Sequence, residues 1–288
     1  MDIFNYRVLV TVAKYSSFQK AAELHNISSP AVSHIIKQLE KQLGFALLNR
    51  NNRNVSLTVE GEALIGRVSE IVRKEDELFE LSDELNGLDR GQVRLGIFNS
   101  MCFYIPSVIR GFNEKYPHIS FEIYQGSYED IIYWLKSGIV DIGFLSKTVN
   151  PGFSFNKIFS DPLMCIVSRG TETESDEVIK LENLDRAAFV MQRESCDKDA
   201  RIIMDKLNLE VRTVCHVVDD KTTVEMVKNG FGFAIMPLLT MKGMEDEVKM
   251  LKIIPECERE IGVSVLNDKQ LSPAVKKAFE YIKSFEYE

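Results

Sequence analysis

The chain has 288 residues, 45% of them hydrophobic and 27% charged, which fits a globular protein too long for one ordinary core. No run of about 18 apolar residues occurs, which argues against a membrane-spanning helix, and the start MDIFNYRVLV has no basic stretch leading into an apolar one, so a cytoplasmic protein without a membrane partner is expected. The formal net charge of −8 is uneven: residues 1–58 hold seven bases against three acids, a net of +4, the pattern expected when one end of an acidic protein meets a polyanion, although a solvated charged face has the same composition.

Phe4, Val8, Leu9 and Val12 recur at helical spacing and predict a helix over residues 3–15. Ser17 stands where an N-cap belongs, ahead of a short second helix carrying Phe18, Ala21, Ala22 and Leu24. The stretch HNISS is a tight turn in which Ser28 caps a third helix, and Pro30 falls in that helix's first turn, where its missing N–H costs little. Val32, Ile35, Ile36, Leu39 and Leu43 form one apolar stripe, and Gly44 is the C-cap. The opposite face, with Ser33, His34, Lys37, Gln38 and Lys41, has no acid. Two short helices across a tight turn, the second with a cationic outer face, fit a helix-turn-helix whose small polar side chains reach base edges in a DNA major groove. After Gly44, FALLNRNNRNVSLT reads as a hairpin with Arg50 and Arg53 at its tip, a wing placed to contact phosphate or the minor groove. A helical protein-interaction module is the alternative.

Ser17-Phe18, Ala21-Ala22, ISSPAVSHIIKQLEKQLG, LLNR, Arg53, LT and GEAL closely resemble the winged helix-turn-helix of LysR-type transcriptional regulators over about residues 1–65. The resemblance implies that Ser28, Ser29, Pro30, Ser33, His34, Lys37, Arg50 and Arg53 face double-stranded DNA. Ser29 stands where the family usually has Gln, and His34 where Arg is commonest. Ser29 reaches less far and cannot make a bidentate contact to adenine, so the operator sequence is altered rather than DNA binding lost.

Residues 59–86 contain no Pro, and Leu64, Val68, Ile71, Leu78 and Leu85 step by threes and fours beside Ile65, Val72 and Phe79. They predict a helix of roughly 40 Å. So long a stripe calls for a partner helix, a second copy of the chain in a coiled coil, unless it packs on its own domain. The resemblance implies the dimer (or a tetramer built from two), with NGLDRGQ as the hinge, and two recognition helices about a two-fold axis require a near-palindromic operator.

From Gln92, short apolar runs alternate with helical stretches: QVRLGI, ISFEIYQG, IVDIGFLS, DPLMCIVSR (161–169), AAFVMQ, TVCHVVD and FGFAIMP read as strands. IPSVIRGFNEKYP, YEDIIYWLKSG, CDKDARIIMDKLN, DKTTVEMVKNG and the final SPAVKKAFEYIKSFEY read as helices. Such alternation predicts an α/β domain with parallel strands. YPHISFEIYQG, GIVDIGF and VKNGFGFAIMP resemble the same family's effector-binding domain, itself similar to type 2 periplasmic binding proteins. The predicted architecture is therefore an α+β multidomain chain. It has a winged helix-turn-helix over 1–58, a dimerisation helix and hinge over 59–90, and an effector-binding domain over 91–288. The last comprises two α/β subdomains, about 91–161 plus 267–288, and 162–266.

Ligands in open α/β sheets bind beyond the carboxyl ends of strands. That rule selects Asn99, Ser100 and Met101, then Ser127 and Tyr128, then Ser146 and Lys147. On the second subdomain it selects Gln192, Arg193 and the rest of 192–195, and Thr222 with Thr223. Helix N-termini there favour an anion, and hydroxyls of Ser100, Ser127 and Thr222 with the charge of Lys147 or Arg193 would hold a small anionic metabolite, although Ser and Thr are also ordinary caps. No GxSxG, P-loop, HExxH or GxGxxG motif is present, so neither an enzyme nor a cofactor or metal is expected. The partners expected are DNA, the effector, a second copy and, for an activator, RNA polymerase. Five cysteines with no CxxC pair suggest that most are reduced, buried thiols. Cys196, beside Arg193, Asp197 and Lys198 at a helix start, and Cys102, near the first cleft loop, leave a thiol redox sensor open as the alternative, and an α/β enzyme more remotely.

Overall fold

A computed structural model describes residues 2–51, 54–192, 198–206 and 209–287. The helix-turn-helix unit forms as its caps dictate. Asp2 caps α1 (Ile3–Tyr15), Ser17 caps α2 (Phe18–Leu24) and Ser28 caps α3 (Ser29–Leu43), which ends at Gly44 with φ +85°. Val8, Leu9, Val12, Ala21, Ala22, Val32, Ile36 and Leu39 close one small core. Strands β1 (Leu48–Asn51) and β2 (Asn54–Leu57) pair antiparallel with Arg50 opposite Val55, so the wing is a hairpin. Its tip residue Arg53 lies outside the described residues.

Helix α4 (Val59–Leu85) runs 27 residues from its Thr58 cap. Its stripe divides. Val68 is buried in the helix-turn-helix core, with Leu64 and Ile65 packed on it, while Ile71, Leu78, Phe79 and Leu85 stay exposed. Arg7 of α1 holds the middle of α4, donating to Glu75 Oε2 at 3.0 and 2.8 Å and to Asp76.

Beyond the hinge come β3 (Gly91–Ile97), α5 (Ile105–Lys115), β4 (Ile119–Gln125), α6 (Tyr128–Lys136), β5 (Ile142–Ser146) and β6 (Ser154–Val167). Then follow β7 (Val178–Lys180), β8 (Ala188–Gln192), α7 (Lys198–Lys206), β9 (Arg212–Val217), α8 (Asp220–Lys228) and β10 (Ala234–Pro237). The chain closes with β11 (Lys249–Ile254), β12 (Glu258–Val265) and α9 (Pro273–Ser284).

The strand order β4-β3-β5-β12-β6-β11-β7, with β10 also on β6, makes β6 the spine of both subdomains. Its first half pairs with β12 and its second with β10 and β11. Two large buried clusters lie on either side of that crossing, one around Phe112, Phe144 and Ile131, the other around Cys165, Phe189 and Leu251.

The sheet departs from the parallel expectation. β3 is parallel to β4 and β5, but β12 runs antiparallel to both β5 and β6, and β10 and β11 antiparallel to β6. β12, which carries the chain back to the first subdomain, runs against β6, which carried it out. The strand expected over 161–169 begins at Ser154 and ends at Val167, and β7, β11 and β12 were not anticipated. From Ile261, β12 already pairs with β5, ahead of the expected subdomain boundary at 267.

Candidate functional site

Two surfaces answer to the sequence reading. On α3, the side facing the core is buried at Val32, Ile36 and Leu39, while Ser28, Ser29, Pro30, His34 and Lys37 are exposed and Ser33 is half-buried. No carboxylate interrupts that outer face. The helix's one acid, Glu40, turns away from it: its Oε1 accepts from the backbone N–H groups of Leu47 and Leu48 at 3.0 and 3.3 Å, tying the recognition helix to the start of the wing. Arg50 lies on β1 beside the wing tip.

The second surface is a cleft of about 630 Å3 between the subdomains. Asn99, Ser100, Ser127, Tyr128 and Gln192 line it, as expected, and Phe98, Gln125, Asp130, Asp219, Asp220, Thr240 and Arg259 join them. Five other expected residues do not; Thr223 is fully buried and accepts from Gln192 at 3.2 Å. Met101 is fully buried in the core, because the segment Asn99–Phe103 forms a 3-10 turn that points it inward. Ser146 is fully buried and donates to Asp199 Oδ1 at 2.7 Å. Lys147 pairs with Glu260 at 2.9 Å on the outside. Thr222 is exposed on α8, its N–H given to the Asp219 cap. Arg193 lies outside the described residues, as does Cys196.

The floor of the cleft is a buried ionic centre that the sequence did not reveal. Arg259 on β12 donates twice to Asp161 Oδ2, at 2.9 and 2.7 Å, once to Tyr128 Oη at 3.0 Å and once to Ser100 Oγ at 3.2 Å. Asp161 also accepts from the N–H of Leu239 at 2.9 Å, so one ion pair stitches β6, β12, α6 and the loop after β10. Burial pushes the Tyr128 hydroxyl well above its usual range and keeps it a neutral donor and acceptor. At the mouth, Gln125 donates to Asn99 Oδ1 at 2.7 Å, Asn99 to Asp220 Oδ2 at 2.6 Å, and Gln192 to Asp220 Oδ1 at 2.9 Å, a polar chain across both subdomains.

The helix starts expected to attract an anion already carry carboxylates. Asp130 closes a capping box with Ser127 at α6, and Asp219 caps α8. Among the described lining residues Arg259 holds the one positive charge, and Asp161 neutralises it.

A family profile described as "LysR substrate binding domain" matches residues 86–285, and one described as "Bacterial regulatory helix-turn-helix protein, lysR family" matches residues 4–62. The chain belongs to the LysR family of transcriptional regulators. This regulator is 28% identical to the HTH-type transcriptional activator CmpR of Synechocystis, over 87% of this chain and 84% of CmpR. Its fold matches full-length CbnR complexed with target DNA at a TM-score of 0.69 and 19% identity, covering 98% of this chain and 99% of that one. The effector-binding domain of QuiR in complex with shikimate matches at a TM-score of 0.61 and 22% identity, covering 67% of this chain and 95% of that one. Such similarity makes this regulator a DNA-binding protein with an effector-binding domain and not an enzyme. Among the described residues no helix is long and apolar enough to cross a membrane.

Proposed function

We propose that this regulator binds a near-palindromic operator as a dimer and changes its promoter binding when a small metabolite enters the cleft. The observation that carries the DNA half is the acid-free, exposed outer face of α3 over a fully buried inner one. Ser28, Ser29, Pro30, Ser33, His34 and Lys37 enter the major groove, and Arg50 and Arg53 of the wing meet the backbone. CbnR, solved with its target DNA, shares the whole fold, which supports this placement. The exposed apolar residues Ile71, Leu78, Phe79 and Leu85 of α4 pair with a second copy, and RNA polymerase is the further partner if the regulator activates.

QuiR, whose ligand is shikimate, illustrates the kind of hydroxylated small molecule this domain type can take, while the anionic effector expected from sequence is not favoured here. The lining favours hydroxyls over charge, because an anion would have to displace Asp130 and Asp219 from the helix starts. The effector is accordingly a small hydroxylated metabolite held by Ser100, Asn99, Gln125, Tyr128 and Gln192. Footprinting of the chain's own upstream DNA tests the first half, and Lys37→Ala should reduce the slope of log affinity against log salt by about 1. A thermal-shift comparison of hydroxylated carboxylates with their uncharged methyl esters tests the second. Absence of protection on upstream DNA sinks the regulator reading, and preferential stabilisation by the acids sinks the neutral-ligand one.

A further inference from the structure

A polar tie joins the helix-turn-helix unit to the effector domain of its own chain. Lys14, in the last turn of α1, donates to Glu122 on β4 at 2.5 Å, and its Nζ lies 5.1 Å from the centre of the Tyr124 ring on the same strand. Residues 122 and 124 share a strand face, so one lysine grips two successive side chains of it. A cavity of about 510 Å3 lies between the two units, walled by α1, α4 and Trp134 of α6 among others. Burial pulls the Lys14 ammonium down, but its hydrogen bonds to Glu122 and Tyr124 outweigh that and hold it above its usual range, charged at neutral pH.

Strand β4 is the edge of its sheet and ends in the cleft. Gln125, three residues beyond Glu122, bonds Asn99, which in turn bonds Asp220 of the opposite subdomain. Gly126 follows, where a Cβ would stand 2.7 Å from the Trp134 ring, and that ring packs on Tyr124 at 5.7 Å. Three residues of strand span about 10 Å. A ligand that remakes the Asn99–Asp220 contact therefore acts on the cleft end of a stiff strand whose middle, at Glu122 and Tyr124, holds α1.

We propose that Lys14 clamps the helix-turn-helix unit to β4 of the same chain, so that ligand at the cleft mouth reorients the DNA-binding unit within one protomer. This inference rests on the effector reading of the cleft. The clamp works beside any change in how protomers assemble, because the strand moves with the subdomain that bears it.

Carbodiimide coupling of the full-length protein, which joins amines to carboxylates already in contact, tests the pair. Peptide mapping should find Lys14 amide-linked to Glu122, and a mixture of isotope-labelled and unlabelled chains should show the link inside one chain. No link, or a link only between chains, overturns the clamp. In the second arm, Lys14→Glu and Glu122→Lys should each change affinity for the upstream DNA by about two- to ten-fold, and the double swap should return it to near the wild-type value. Additive losses in the double variant would mean that Lys14 acts on DNA or stability alone. Neither arm uses a ligand. Failure of the cleft to bind any metabolite would remove the effector reading while leaving the clamp measurable.

Discussion

Arg259 concentrates more of the cleft's energetics than any residue readable from the sequence. Truncating one member of a buried ion pair strands the other charge, at a cost of roughly 3–5 kcal/mol. Arg259→Ala should lower stability by that order in urea unfolding, and Arg259→Met with Asp161→Leu should recover much of it. In sequence, Arg259 sits in CERE as one charge among acids, and only the strand that carries it inward shows what it does. His25 is a second residue-scale case. It shares a hydrogen bond with Thr11 Oγ1 at 2.8 Å, and burial followed by the nearby Arg7 charge lowers its pKa from the ordinary 6.5. A depressed histidine contributes stability that is present above the unfolded pKa and lost as pH falls through the folded one. The Tm advantage of wild type over His25→Gln should therefore be full at pH 7.5 and shrink below about pH 6.5. An advantage that grows in acid would contradict the assignment. Among the described cysteines only Cys165 is fully buried, and burial pushes its thiol up to about 12, while Cys215 and Cys257 are half-buried, against the expectation that most would be buried thiols. Cys102 is exposed.

At the scale of elements, the helices were legible because capping residues and a 3.6-residue period are local. Ser17, Ser28, Thr58, Ser127 and Ser272 all cap the helices that follow them. The joint between wing and α4 was not legible. At Gly61 a Cβ would lie 2.2 Å from the Leu47 carbonyl oxygen, whereas at Gly66 the nearest atom is Ser137 Cα at 3.8 Å. Gly61→Ala should cost about 1–3 kcal/mol and loosen the wing, read as lost stability and weaker operator binding. Gly66→Ala should be neutral or stabilising, by up to about 1 kcal/mol from helix propensity. Strands β11 and β12 escaped the sequence reading because no helix separates them, so their spacing does not mark a βαβ unit. Their apolar runs, such as 261–265, are buried as crossover strands among neighbours from other parts of the chain.

For the whole molecule, the exposed half of α4 is the surface through which the proposed dimer would form. Leu78 and Phe79 are 65% and 64% exposed, and burying two such side chains against a twin stabilises by roughly 1.5–3 kcal/mol each. Leu78→Glu with Phe79→Glu should shift the sedimenting species toward monomer and weaken binding to a full operator more than to a half-site. The amino-acid sequence alone determined the helix-turn-helix, its caps, its acid-free outer face, the long helix and the α/β character of the remainder, because each depends on spacing within a dozen residues. The tertiary structure alone decided which of the expected residues line the cleft, that Asp130 and Asp219 fill the helix starts, that Arg259 meets Asp161, and that Lys14 reaches Glu122. Each of those depends on contacts between residues far apart in the chain, such as the 98 positions from Asp161 to Arg259, and no local period records them.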